Sequence, residues 1–348
     1  MNARLTIALD AMGGDHAPRM VIRGAGIAQQ RLPDVSFLMY GRESDVLPLL
    51  EKNKKLRAAT SLVHTDEMVS AEEKPSVALR SGRSSSMRLA IDSVKDGEAD
   101  AVVSAGNTGA LMAMSKFVFR TLPGVDRPAI CSFFPTLKGE TVMLDLGANV
   151  QCDARNLVDF AIMGSAFART VLGIMQPSIG LLNVGSEELK GHESLQEAAA
   201  ILRQADLPGS FHGFVEGDDI AKGTVDVVVT DGFTGNIALK TAEGISSLTT
   251  EFLRRTFRSS WLAGIGYLLA KPAMRKLRQR MDPRRYNGAV FLGLNGIAVK
   301  SHGGTDALGF AHAITVAADL AKHGFIGAMQ QDFEGLRLPP ASPKVVVG

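Results

Sequence analysis

What most constrains this chain is a pattern that recurs along it: a short apolar run, a glycine-rich turn, then an apolar stripe at helical spacing. Residues 101–117, AVVSAGNTGALMAMSKF, show it most clearly. The run at 101–104 carries two β-branched valines, as a strand buried in a parallel sheet does. Gly106, Asn107, Thr108 and Gly109 follow at once, and Leu111, Met114 and Val118 then recur at helical spacing. A chain leaving a strand through such a turn presents free backbone N–H groups and the positive end of a helix dipole, and both attract an anion. Tight turns also use glycine for purely steric reasons. One instance therefore carries little, and the argument rests on repetition.

The first instance is residues 5–9 (LTIAL), followed by Asp10, Gly13, Gly14, Asp15, His16 and Pro18 and a helix predicted over 20–30. Proline fits a first helical turn, where its missing N–H costs nothing. This turn reads equally as a capped connection or as an anion site ringed by Asp10, Asp15 and His16. Strands are predicted at 35–40 and 61–64, with one helix over 44–54. Serines within 81–86 read as caps of the helix whose stripe is Met87, Ala90, Ile91 and Val94, or as groups that touch a ligand. Strands at 127–134 and 140–144 are joined so tightly that they must be antiparallel, which makes the sheet mixed.

The strand at 140–144 ends in Asp145, Gly147 and Asn149 and leads into a long amphipathic helix through Val171. The strand at 178–183 runs into a loop longer than packing needs, with Lys190 beside glycines. Lys190 reads either as a solvated lysine or as a site cation. Strands at 209–215 and 224–230 follow. The second ends in Asp231, Gly232, Phe233, Thr234, Gly235 and Asn236, with a helix starting near Asn236. The last strands, at 286–291 and 297–300, lead to His302, Gly303 and Gly304 and a helix over 307–322. Residues 1–335 read as a single α/β unit and 336–348 as a loose tail. Ligands of open α/β sheets collect at the carboxyl ends of strands, so the six turns are expected at one edge of the sheet.

The formal net charge of the 348 residues is +2, which argues against a general nucleic-acid footprint. That balance hides a local asymmetry. Residues 254–285 hold ten Lys or Arg against one acid, Asp282, within an inserted helical hairpin at about 240–285. Its apolar tip carries the only tryptophan, with Trp261, Leu262, Ile265, Tyr267 and Leu268. Cations flanking an apolar tip suit an interfacial membrane anchor. Packing of the hairpin in a homodimer is the other reading, and the two are compatible. Cys131 and Cys152 have no metal-ligand spacing and read as reduced thiols of a cytosolic protein. No apolar run reaches the ~20 residues that span a bilayer. The chain lacks G-x-x-x-x-G-K-[ST], H-E-x-x-H and G-x-S-x-G, and Gly24 and Gly26 fall inside a helix. An anion site without those signatures points to inorganic phosphate or a phosphorylated small molecule, with no metal and no cofactor.

Six motifs in order, DAMGGDHAP at Asp10, SAGNTGA at Ser104, LDLGAN at Leu144, NVGSEELKG at Asn183, DGFTGN at Asp231 and KSHGGTD at Lys300, resemble the bacterial phosphate acyltransferases of the PlsX family. The resemblance covers residues 4–325. It implies a Rossmann-like three-layer α/β/α fold akin to the isocitrate and isopropylmalate dehydrogenases and the phosphotransacetylases. It also implies acyl transfer from acyl-[acyl carrier protein] to inorganic phosphate for phospholipid synthesis, a homodimer, and a cytoplasmic enzyme peripherally associated with the inner face of an anionic membrane. Within it the turns holding Gly13, Gly14, Asp15, Asn107, Thr108, Gly109, Asn149, Asp231, Gly232 and Asn236 are expected to cradle phosphate. Lys190 would balance its charge, and His302 or His16 would handle a proton. A short-chain phosphotransacetylase using acyl-CoA and a noncatalytic membrane scaffold are the alternatives.

Overall fold

The computed structural model describes residues 5–280 and 282–335, so the tail predicted at 336–348 lies outside the described residues. The first elements are β1 (Thr6–Asp10), α1 (Arg19–Arg31), β2 (Ser36–Gly41), α2 (Glu43–Leu50), α3 (Lys54–Ala58), β3 (Thr60–His64), α4 (Pro75–Ser81), α5 (Ser86–Lys95), β4 (Ala101–Ser104) and α6 (Thr108–Phe119). A strand hairpin, β5 (Ala129–Pro135) and β6 (Glu140–Leu144), is followed by α7 (Ala154–Phe167), β7 (Ser178–Leu182), α8 (Glu193–Gln204), β8 (Ser210–Val215), α9 (Gly217–Lys222) and β9 (Val227–Val229). Then come α10 (Gly232–Arg258), α11 (Trp261–Arg280), β10 (Ala289–Leu292), β11 (Ile297–Lys300), α12 (Ala307–Lys322) and α13 (Phe325–Gly335).

These strands form one mixed sheet in the order β3-β2-β1-β4-β11-β10-β5-β6-β9-β7-β8. Alternate residues of each strand point to opposite faces, and helices cover both. Ile7, Leu9, Val103, Leu144 and Val299 meet Phe160, Phe310 and Met329 of α7, α12 and α13. Ala8, Val102, Met143 and Val228 lie on the other side, with Met87, Ile91, Leu111 and Met114 of α5 and α6. Fully burying each such large side chain stabilises the fold by roughly 1.5–3 kcal/mol before entropy is counted. The result is the three-layer α/β/α arrangement that the resemblance implies, with α10 and α11 packed on each other as a helical hairpin.

Several local details differ from the sequence reading. The helix over 44–54 is two helices, because the Asn53 side chain accepts from Leu56 N and starts α3 afresh. Pro75 opens a further helix, α4, ahead of the serines. Helix α7 is not amphipathic. Nearly all of its residues are buried, because α8 and α13 pack on the side turned away from the sheet. Helix α10 begins at Gly232 rather than near Asn236, because Asp231 caps it by accepting from Thr234 N at 2.8 Å.

The six turns do not share one edge. Strands β1, β2, β3, β4 and β11 are parallel, and β5 runs with them because β10 is antiparallel to both β11 and β5. Strand β6 then reverses, and β9, β7 and β8 all follow β6. The turns after β1, β4 and β11 therefore leave one strand end, and those after β6, β7 and β9 leave the other. The physical cause is the tight β5–β6 hairpin itself, which turns the chain around and carries every later parallel strand with it.

Candidate functional site

At the strand end that carries His16 and His302, the organising group is Asp10. Its carboxylate is buried and accepts from Ser86 Oγ (2.7 Å), Ser104 Oγ (2.7 Å) and Met12 N (3.2 Å). Burial raises its pKa against the lowering effect of those donors. Gly13 passes so close that an added Cβ would sit 2.7 Å from Gly106 N, so only glycine allows the approach. Asp15 N donates to Gly303 O (3.0 Å), His302 N donates to Asn287 Oδ1 (2.8 Å), and Gly304 N donates to His302 Nδ1 (3.2 Å). The structure thus brings Gly13, Gly14, Asp15, His16, His302 and the Asn107–Gly109 turn together. Asp15, His16 and His302 are exposed there.

Asn107 itself is structural. Its Oδ1 caps α6 by accepting from Ala110 N (3.0 Å), and its Nδ2 donates to Ala71 O (2.9 Å) and Glu73 O (2.8 Å). The first turn of a helix has four amides with no helical partner. Here Ala110 N and Leu111 N go to Asn107, while Thr108 N and Gly109 N have no backbone or side-chain acceptor among the described residues. Two unspent amides at the start of a 12-residue helix are an anion-binding arrangement.

The other strand end is built around Asp145. Its carboxylate is buried and accepts from Ile130 N, Gly147 N, Ala148 N, Asn149 N and Asn149 Nδ2 at 2.7–3.2 Å. Of the residues expected to cradle phosphate here, Asn149 gives its amide to the Asp145 carboxylate, Gly232 N goes to Asn149 O, and Thr234 N goes to Asp231 Oδ1. Asn236 Nδ2 donates to Leu146 O (3.1 Å), and Gly232 N donates to Asn149 O (2.7 Å). Asp231, Gly232, Asn236 and Asn149 are brought together as a scaffold. Lys190 is exposed in the loop after β7, its backbone fixed by Asn183 Nδ2 to Lys190 O (3.1 Å). It leaves the sheet in the direction opposite to His16 and His302.

Helix α10 spans the two ends. It starts beside Asn149, and two turns on, about 12 Å at 1.5 Å per residue, Lys240 is close enough to act on Lys300. Lys300 is the charged residue that the sequence reading missed. It ends β11 and is buried, and its Nζ donates to Ala105 O and Ser301 O. Burial lowers its pKa to about 8, against the opposing pull of Asp10 and Asp15. The available signal was a lysine closing the otherwise apolar run IAVK.

On the hairpin, Trp261, Leu262, Ile265 and Leu268 are exposed, as is Leu269. Tyr267 is exposed too, and its ring lies 5.2 Å from that of Phe257 on α10. Among the described residues no helix is long and apolar enough to cross a membrane.

The family model described as "Fatty acid synthesis protein" matches residues 5–328. A protein of Rhodospirillum centenum named phosphate acyltransferase is 63% identical over 98% of both chains. One of the same name from Paramagnetospirillum magneticum is 60% identical over 99% of this chain and 98% of its own. This chain belongs to the phosphate acyltransferase family. It is an acyltransferase, and the family model places it with fatty acid synthesis. Among solved structures, a phosphotransacetylase from Streptococcus pyogenes superposes with TM-score 0.62 at 17% identity over 92% of this chain and 95% of that one. A 4-hydroxythreonine-4-phosphate dehydrogenase from Klebsiella pneumoniae gives 0.51 at 17% identity over 92% and 99%. These distant likenesses concern the fold.

Proposed function

We propose that this acyltransferase moves a fatty acyl group from acyl-[acyl carrier protein] to inorganic phosphate, releasing an acyl phosphate for phospholipid synthesis. The observation that carries this reading is the pair of unspent amides at Thr108 and Gly109, beside His16, His302 and buried Lys300. Phosphate held there has its charge met by backbone dipoles, and one oxygen remains free to attack. Attack forms an O–C bond at the thioester carbonyl and breaks its C–S bond. The phosphate proton passes to His16 or His302, and the departing thiolate, conjugate to a thiol of pKa ~8.5, needs little acid help. Lys190, in the loop at the opposite strand end, has no part in this step. The alternative donor is acyl-CoA.

The same reading places the protein in the cytoplasm as a homodimer, resting on the inner face of the membrane through the hairpin tip. Exposed Trp261, Leu262, Ile265 and Leu268 beside the basic helices support that placement. The deciding assay supplies matched acyl-carrier and CoA thioesters with labelled orthophosphate and traps acyl phosphate with hydroxylamine. Labelled product from the carrier donor is expected, and transfer from CoA alone would overturn the donor assignment. For the tip, Trp261→Asp with Leu262→Asp is expected to abolish co-sedimentation with anionic liposomes and leave soluble turnover intact. Unchanged co-sedimentation would remove the anchor.

A further inference from the structure

One charge at the histidine end lies where a methionine would cost far less. Lys300 is 8% exposed at the end of β11, registered beside Ser104 of β4 and Ala289 of β10. Removing an ammonium from water costs several kcal/mol unless it is paired and hydrogen-bonded. Two of its three N–H groups are accounted for, by Ala105 O on the turn that leads into α6 and by Ser301 O on the turn that carries His302. The charged groups that act on it come from three other places: Asp10 at the end of β1, Asp15 in the following turn, and Lys240 on α10.

We infer that Lys300 is a positioning residue for acyl transfer to phosphate: its buried ammonium ties the turn after β4 to the turn after β11 and gives a fixed positive charge to the strand end that presents Thr108, Gly109 and His302. The inference rests on the reading above. It goes beyond that reading because Lys300 works through the two turns rather than by taking part in bond-making. A neutral side chain of the same length keeps the packing and loses both carbonyl contacts, so the turns are held together there only by the backbone bond from Ser301 N to Ser104 O (2.9 Å) and loosen. The charge that favours a phosphate dianion over water is lost with them. The ammonium must stay protonated for this, so activity falls as pH rises through about 8.

The test compares the unaltered protein with Lys300→Met, steady-state kinetics being taken with orthophosphate as the varied substrate between about pH 6 and 9.5. If the unaltered protein transfers no acyl group to phosphate, the parent reading fails and this inference fails with it. If it does, folded Lys300→Met is expected to lose about 10- to 100-fold in kcat/KM for phosphate, the range seen when a supporting contact is removed. It should also lose the alkaline limb of the pH profile. Folded Lys300→Met with unaltered kcat/KM and the same alkaline limb overturns the inference alone. Should Lys300→Met fail to fold, the native protein labelled at lysine Cε decides by NMR. Saturating orthophosphate should move the lysine titration near pH 8 to higher pH, because a nearby anion favours the ammonium. A midpoint that does not move rejects the inference.

Discussion

The two strand ends use the same local sequence device for different purposes. Each has an aspartate closing an apolar strand, a glycine turn, and a helix beyond. At the Asp145 end the carboxylate takes four backbone amides and one side-chain amide, and no cation is needed. At the Asp10 end the carboxylate takes two serine hydroxyls and one amide, and a buried lysine lies nearby. The first arrangement is closed, because its donors are spent on a residue of the chain itself. The second leaves the α6 amides uncommitted and supplies a cation and two exposed histidines. On the proposed reading, a strand–glycine–helix turn can hold an anion where the neighbouring acid has found its donors elsewhere. At Asp10 those donors are Ser86 and Ser104, from two other elements.

The largest effect that would break this comparison is on stability. Asp145→Ala leaves the amides of Ile130, Gly147, Ala148 and Asn149 without their acceptor. Each buried donor left unpaired costs about 1–3 kcal/mol, so with partial rehydration the loss should be about 3–6 kcal/mol. Asp10→Ala frees hydroxyls that can rotate to other acceptors and should cost less. Urea unfolding of the two variants checks the ranking, and equal losses would erase the distinction between a closed and an open turn.

Next comes activity. Asn149→Ala removes the donors to Pro128 O and Asp145 at the closed end, and should lower stability with little change in KM for phosphate. His302→Ala, at the open end, should lower kcat by about 100-fold, within the usual range for a positioned acid–base group, with the melting temperature nearly unchanged. If Asn149→Ala raised KM for phosphate while His302→Ala left kcat alone, the assignment of chemistry to the histidine end would be reversed.

The extent to which the sequence revealed this follows from what each signal depends on. Strand positions were legible to within a few residues: 101–104 and 140–144 coincide with β4 and β6, whereas the runs at 224–230 and 286–291 reduce to β9 (Val227–Val229) and shift to β10 (Ala289–Leu292). The antiparallel β5–β6 link was legible from its shortness. Its consequence, that later turns face the other way, needed strand order, which no local pattern carries. Asn107 and Asp231 stood in turns that the sequence singled out, but neither was read as a helix cap, and the partners that hold them, such as residues 70–73 for Asn107, lie far along the chain. Lys300 was hidden for the same reason. A lysine at the end of a strand is ordinarily a solvated residue, and only the carbonyls of Ala105 and Ser301 and the carboxylates across β4 and β1 make it otherwise.

The smallest effect concerns a third buried acid, and it sharpens the contrast by showing what an unsatisfied carboxylate looks like. Asp159 lies on α7, buried, with Arg155 Nε 2.9 Å from its Oδ1. Neither of its oxygens has a well-formed hydrogen bond. Burial, opposed by Arg155, raises its pKa to about 6. The protonated form is therefore favoured in the folded chain relative to the unfolded one, where the carboxyl titrates near 3.8. Below about pH 4 the group costs nothing. As pH rises from there the unfolded state ionises first, stability falls, and the loss is complete above about pH 6. The shift alone would be worth up to about 3 kcal/mol, and loss of the Arg155 contact on substitution should leave a net gain of about 1 kcal/mol. Asp159→Asn is thus expected to be more stable than the native protein at pH 8 and no more stable at pH 4, as read from urea midpoints at both. A difference independent of pH would mean that the charge of Asp159 is met in the folded chain.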